Sequence, residues 1–593
     1  AFELFPAAPA RLSWQVALRG QPVIDRSPIG IVVDGIDLSD GVELGEVESY
    51  RARRTYPWRG VHSEATDHFR GMRVSVRHVA TGTPYRVDVR VYDDGIAFRY
   101  VVPGEGSRVP DEATAFVLPE GTTVWYHDLH GHYEGTHARK TLAEVRQNDW
   151  AAPPLTIKLP NGGGYASITE GALLRYPGMA LQADGSRTFR ARLGHAHPAS
   201  YPFTLRYGED GATRLAKPAA IEGPITTPWR VVMIGPDLDT LVNCDIVHNV
   251  SPEPDRRLFP KGLRTEWVKP GRAVWKYLDG GGENSLALMK EFSRLAALMG
   301  FEYNVVEGFW RRWSESELRE LIDYSRQQNV GIWLWQHTRE LRDPAARDAF
   351  FAHVQRVGAV GVKLDFLDHE AKEVVDLYHE LLRGAAEHRL MVNFHGANKP
   401  TGESRTWPNE MTREAVSGME RSRMEAWSQH NTTIPFTRML AGHLDFTPTV
   451  FGERRRETSW AHQIATAAVF TSPVLVYGGH PQSMLENPAV EMIKSIPSVW
   501  DETRVLPFSE IGEAAGFVRR HGRQWFVAIL NGPTARSVDV PLSFLGRGAH
   551  QALLVRDEME NPAAVRVETA TLGRSDTLKV ELRAGGGFIA RLS

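Results

Sequence analysis

Cysteine is all but missing from this chain. One residue, Cys244, in 593 excludes an intramolecular disulfide and any cysteine-based zinc centre, and a lone thiol is expected to serve as a small buried hydrophobe. Charge of one sign is missing too. With 69 Lys plus Arg against 72 Asp plus Glu, the net charge of -3 gives no electrostatic footprint for nucleic acid or an anionic membrane. No apolar run approaches the ~20 residues needed to span a bilayer. A glycine-rich phosphate fingerprint and a nucleophile-elbow serine are also lacking, which argues against phosphoryl transfer, dinucleotide chemistry and serine-hydrolase chemistry.

The residues that are present belong to a soluble, multidomain chain. Hydrophobic residues at 42% and charged residues at 24% are ordinary, and 16 Trp with 22 His supply the aromatic surface that a carbohydrate cleft would use. The patterning falls into three regions: 1–260, 261–500 and 501–593. In the first, "HFRGMRVSVRHVA" and "PYRVDVRVYDDGIAFRYVVP" alternate apolar and polar residues between Gly, Asp and Pro turns. Half-buried antiparallel strands have this signature, and a large β-sandwich accommodates them. No convincing helical period interrupts them.

In the second region the period changes. "AVWKYLDGG", "EYNVVEGFW", "VGIWLWQH", "AVGVKLDF" and "LMVNFHG" read as buried strands, and amphipathic helices such as "NSLALMKEFSRLAALMGF" separate them. Ser314 and Glu317 stand at capping-box spacing before one of those helices. With less regular strands around "EAVSGME", "HLDFTP" and "PVLVYGG", the count predicts a (β/α)8 TIM barrel; a doubly wound open sheet is the alternative. The third region returns to short strands and predicts a C-terminal β domain.

The chemistry is expected at the C-terminal ends of the barrel strands. Those ends carry Asp279, Glu307, Trp335 with His337, Lys363 with Asp365, His395, Glu414 with Glu420, Asp445 and His480. Within "GVKLDF", Lys363 and Asp365 point to the same side of a buried strand, because side chains alternate. Desolvated charges need a partner or a use. Asp365 is therefore either half of a structural ion pair or a reactive carboxylate at the mouth of a sheet. The other residues have bland readings as well: Asp279 and Glu307 as helix caps, His395 as a satisfied core histidine, and Glu414 and Glu420 as surface charges beside arginines. Their joint placement favours paired carboxylates flanking a glycosidic bond.

The residues "VYDDGIAFRY", "ITEGALLRYPGM", "GVKLDF", "HGANKPTGESRTWPNEMTREAVSGMER" and "PFTRMLAGHLDFTP" resemble glycoside hydrolase family 97 over most of the chain. The resemblance implies an N-terminal β-super-sandwich, a (β/α)8 barrel and a C-terminal β domain. It also implies the retaining branch of the family. Inverting members carry a base glutamate directly after the histidine matched by His395, where this chain has Gly396, and another near Trp335. Retaining members carry an aspartate where Asp365 stands. Asp365 then looks like the nucleophile, Glu420 the acid/base, and Lys363 the group that holds charge beside Asp365 and lowers its pKa. His395, Trp335, Glu307 and Asp279 are the expected substrate-binding residues.

The resemblance further implies an active-site Ca2+ held by Glu170, Glu414 and Glu420, with Glu134 of "HGHYEGTHARK" as the alternative to Glu170. The substrate class it implies is a galactoside or an oligosaccharide with terminal α-galactosyl residues, cleaved from the end. α-Glucosidase or β-L-arabinopyranosidase activity on the same machinery, a lyase or epimerase, and a non-catalytic carbohydrate-binding protein are the alternatives. A periplasmic or secreted location follows from the family only.

Overall fold

The computed structural model describes residues 1–8, 10–198, 203–279, 282–421 and 424–593. Its first part is built of strands, as the alternation predicts. A seven-stranded sheet, from Phe2–Ala7 to Gln147–Ala151, faces a ten-stranded sheet whose edge is the long hairpin Val42–Pro57 and Glu64–His78. Trp14 of the first sheet packs edge-on at 5.0 Å against Phe98 of the second, and its indole N–H donates to the Ala115 carbonyl at 3.2 Å. The tip of this large apolar side chain is thereby satisfied inside the core.

A helix, Phe203–Leu215, interrupts this β-rich part, against expectation. Gly208, at φ 72°, kinks it, and Gly211 follows. Two glycines in one short segment weaken the local helical signal, so tertiary contacts rather than propensity hold this helix. One such contact is the Tyr207 hydroxyl, which donates to the Leu367 carbonyl at 2.5 Å.

The central part contains seven parallel strands: β1 (Gly271–Trp275), β2 (Tyr303–Val306), β3 (Gly331–His337), β4 (Gly361–Asp365), β5 (Met391–Phe394), β6 (Glu410–Arg413) and β7 (Val474–Tyr477). Their order is β6-β5-β4-β3-β2-β1-β7. Helices α1 (Leu286–Met299), α2 (Glu315–Gln327), α3 (Pro344–Val357) and α4 (Lys372–Glu387) follow the first four strands. Ser314 and Glu317 do form the reciprocal capping box that starts α2.

The eighth strand of the expected barrel does not form among the described residues. Leu444–Phe446 fills its place, with Leu444 N–H donating to Thr471 O and Asp445 N–H to Arg413 O, both at 3.0 Å. Thr447 and Thr449 lie at φ 54° and 66° around Pro448, which lacks a donor, so the segment cannot run on as a ladder strand. The result is a nearly closed barrel with one irregular stave.

The third part is a six-stranded antiparallel sheet, Glu502–Val505 through Val565–Gly573, with a two-stranded ribbon. It packs on helix α5 (Trp460–Val469), where His462 Nδ1 lies 2.9 Å from Gly586 O. A Cβ at Gly587 would lie 2.4 Å from His462 Cα, so only glycine allows this contact. The ten-stranded sheet shares one continuous apolar cluster with the barrel, through Trp229 and Met233, so the sandwich is fixed over the barrel.

Candidate active site

At the C-terminal ends of β2 to β6 lies a pocket of about 400 Å³. Glu307, Trp335, Lys363, Asp365, His395, Glu414 and Glu420 all line it. Asp365 ends β4 and is 9% exposed; its Oδ2 accepts from Trp335 Nε1 at 2.9 Å, and its backbone carbonyl accepts from Thr338 Oγ1. Burial pushes its carboxyl above the ordinary range, while His395, Lys363 and the Trp335 hydrogen bond pull it back. The net direction is upward, opposite to the effect expected from Lys363 alone. The cost of desolvation outweighs the attraction of the cation.

Lys363 does not form the ion pair with Asp365 that its spacing suggests. Its Nζ lies 3.2 Å from Glu307 Oε1 and 3.8 Å from Glu420 Oε1, and 4.0 Å over the Trp275 ring. Glu307 also accepts from Trp275 Nε1 at 2.6 Å. Lys363 thus bridges the β2 carboxylate and Glu420, and it acts on Asp365 through space.

Glu414 and His395 form the opposite wall. His395 Nε2 is 2.8 Å from Asp445 Oδ2, and its Nδ1 is 3.3 Å from Glu414 Oε2. Despite burial, Glu414 and Asp445 raise the pKa of this imidazole well above its ordinary value. Burial of Glu414 is outweighed in turn by His395 and by the Gly396 N–H, which donates at 2.8 Å, and its carboxyl falls below the usual range. Glu420 differs. Burial, Glu414 and Asp365 outweigh Lys363 and His395, and its carboxyl is pushed up to about 7. One carboxylate kept ionised beside one poised near neutrality is the division of labour that acid/base chemistry requires.

His395, Glu414 and Glu420 each offer a ligand atom within 4.8 Å of the others. Glu420 Oε1 is buried and accepts no hydrogen bond among the described residues. Glu134, contributed by the sandwich, also lines the pocket. It is paired with Arg421, and burial together with Glu414 holds its carboxyl well above normal. Carboxylates that raise one another's pKa, with an open buried oxygen between them, match what a hard cation would neutralise.

His337, Asp445 and His480 do not line the pocket, and of the residues given a catalytic, binding or metal role two, Glu170 and Asp279, are not brought to it. Glu170 is fully buried elsewhere: Oε1 accepts from Met179 N–H at 2.7 Å and lies 2.8 Å from Lys399 Nζ, and Oε2 is bound by Arg230. Its two oxygens are spent on that network, and Glu134 is the sandwich carboxylate that lines the pocket instead. Asp279 stands beside Gly452 and His480, because β1 ends at Trp275 and the chain has turned away by residue 279.

Sequence reasoning missed Arg206, Trp275, Tyr277, Phe366 and Asp368, which also line the pocket. Trp275 and Tyr277 could have been read from the end of "AVWKY". Asp368 lies three residues after Asp365 in a turn with no period. Arg206 reaches the pocket from the unexpected helix, and nothing local announces it.

Comparison with known proteins agrees with this architecture. Protein-family models described as Glycosyl-hydrolase 97 N-terminal, Glycoside hydrolase 97, and Glycosyl-hydrolase 97 C-terminal, oligomerisation match residues 4–253, 273–416 and 499–593. A probable retaining alpha-galactosidase of Streptomyces bingchenggensis is 32% identical over 98% of this chain and 89% of its own length. A retaining alpha-galactosidase of Bacteroides thetaiotaomicron is 27% identical over 98% of this chain and 94% of its own. The crystal structure of a beta-arabinopyranosidase superposes with a TM-score of 0.87 at 21% identity, covering 100% of this chain and 98% of that one.

Proposed function

This chain belongs to glycoside hydrolase family 97 and is a glycosidase; from that premise we propose that it is a retaining, exo-acting α-galactosidase with Asp365 as nucleophile and Glu420 as acid/base. The observation that carries the reading is the different setting of two carboxyls in one pocket. Asp365, held by Trp335 Nε1 at 2.9 Å, is oriented for attack, and Glu420, pushed up to about 7, retains a proton to give. Full-length similarity to two proteins named as retaining alpha-galactosidases supports the galactosyl part.

In the first step an Asp365 oxygen forms a bond to the anomeric carbon while the bond to the leaving oxygen breaks. Glu420 delivers its proton to that oxygen. In the second, Glu420 takes a proton from water, whose oxygen displaces Asp365, and the configuration is retained. Between the steps Asp365 is held as the glycosyl ester, and Lys363 and His395, at 3.8 and 3.6 Å from Glu420 Oε1, stabilise the carboxylate that Glu420 has become. Gly396 puts no carboxylate directly after His395 in the chain, and a Cβ there would lie 2.9 Å from Phe366 N and Cα.

Glu414 and Glu420 are the oxygen donors that would hold a Ca2+, with Glu134 on the same pocket wall and His395 fixing Glu414 behind them. Such an ion supplies charge that tunes Glu420 and orients substrate hydroxyls. Removal of divalent ions with EGTA is expected to lower the melting temperature and the activity together, and added Ca2+ should restore both. Unchanged melting and activity after chelation would remove the ion from the reading.

The galactosyl assignment is tested with aryl α-galactoside, α-glucoside and β-L-arabinopyranoside, following the first-formed product by proton NMR. Preferred turnover of the galactoside with an α-product is expected. A preference for either other sugar would reassign the substrate, and a β-product would dismiss Asp365. Asp365→Gly should be inactive and regain turnover with azide, yielding a β-galactosyl azide.

A further inference from the structure

Asp368 plays no part in the chemistry above, yet it faces the same pocket as Asp365. It is 2% exposed. Its Oδ2 accepts from Arg206 Nε at 3.1 Å, and its Oδ1 takes no donor among the described residues. A carboxyl oxygen with no protein donor at the wall of a pocket is available to a ligand hydroxyl. The backbone that carries it is also held in an unfavourable shape. Phe366 and Asp368 adopt φ of 73° and 45° within three residues. Three hydrogen bonds from Phe366, Leu367 and Asp368 N–H to the carbonyls of His395 and Gly396, at 3.1, 3.0 and 2.7 Å, pin that turn. Two left-handed non-glycine residues over-determined by neighbouring strands are a form in which strain persists where it has a use. The turn folds Asp368 back toward the strand end that carries Asp365.

Gly396 completes the arrangement. A Cβ there would lie 3.0 Å from Asp368 Oδ1, so the missing side chain leaves that oxygen open space. The Arg206 guanidinium lies 3.6 Å over the Phe366 ring, which fixes both the arginine and the turn from the sandwich side. Asp368 stands outside the His395–Glu414–Glu420 group that could hold a cation. Burial and Asp365 push its carboxyl up to about 8, so near neutral pH it offers a proton as well as a lone pair. A sugar hydroxyl needs that combination.

We propose that Asp368 is a sugar-binding carboxyl that holds a ring hydroxyl of the residue being transferred, and that Arg206 is its positioning residue. This rests on the reading of the pocket as a glycosidase site, and it is independent of which sugar is cleaved. The test uses whichever of the three aryl glycosides the wild type turns over best, together with its monodeoxy analogues, in the wild type and in Asp368→Ala. In the wild type, removal of one particular hydroxyl should cost about 10²-fold in kcat/KM. Asp368→Ala should lose the same factor on the parent sugar and lose nothing further on that one deoxy analogue. A uniform loss across the series, or no loss, would overturn the proposal. Should Asp368→Ala fail to fold, Asp368→Leu, which keeps bulk and removes both donor and acceptor, carries the same series. Arg206→Met should raise KM about 10-fold while leaving the deoxy pattern in place, and Arg206→Lys should recover most of it. A collapse of kcat with KM unchanged would overturn the positioning role. Turnover of the arabinopyranoside alone would remove the galactosyl reading and leave the test of Asp368 intact.

Discussion

The behaviour of Asp365 is set by competition between desolvation and a few donors, and a single atom shows it. Trp335 Nε1 donates to Asp365 Oδ2 at 2.9 Å and stabilises the ionised form. Trp335→Phe removes that donor, and the Asp365 pKa should rise further. In its proposed role as nucleophile Asp365 must be ionised, so activity is present above its pKa and lost as pH falls through it. The acid limb of kcat/KM against pH should therefore move to higher pH in Trp335→Phe, with a loss of about 10-fold near neutrality for one hydrogen bond to a charged group. An acid limb that stays in place would show that the indole contributes only shape. The sequence displayed Trp335, Lys363 and Asp365 at strand ends, and alternation along a strand made that legible. It did not show that Lys363 turns to Glu307 and Glu420, because those partners come from other strands.

At the scale of elements, helix α5 carries a pH-sensitive contact to the C-terminal sheet. His462 is fully buried, with Nδ1 at 2.9 Å from Gly586 O and Nε2 at 3.0 Å from Asn431 Nδ2. Burial lowers its pKa to about 4, whereas an unfolded histidine titrates near ~6.5. Below that value the unfolded chain binds a proton that the folded one refuses, so the contribution is complete above it and shrinks as pH falls toward 4. Relative to His462→Asn, the wild type should lose about 2 kcal/mol of stability between pH 7.5 and 5. Denaturant unfolding at the two pH values measures it, and parallel losses in both proteins would reject the assignment. Strands and helices of β1–β4 were legible because their periods differ sharply. The eighth stave and the helix Phe203–Leu215 were not, because proline, left-handed threonines and glycines blur the local signal.

Across the whole molecule, the sandwich and barrel are joined by buried charges. Lys399 of the barrel, fully buried, lies 2.8 Å from Glu170 of the sandwich and 2.7 Å from Glu370 of the loop after β4. Tyr133, next to Glu134, donates to Glu370 at 2.8 Å. Lys399→Met leaves two carboxylates buried without their shared cation and should cost about 3–5 kcal/mol. Calorimetric unfolding would show it, and a change below about 1 kcal/mol would mean that water or protonation replaces the lysine.

The same network divides what the sequence determines from what tertiary structure decides. Period, turn chemistry and the motif from His395 to Arg421 determine the strands, the family and the carboxylates Asp365, Glu414 and Glu420, because these depend on residues near one another in the chain. Three things are decided only by folding: that Glu134 rather than Glu170 reaches the pocket, that Asp279 does not, and that Arg206 meets Asp368. Each depends on which buried charges find partners from distant segments, and desolvation makes that pairing obligatory only once the layers have packed.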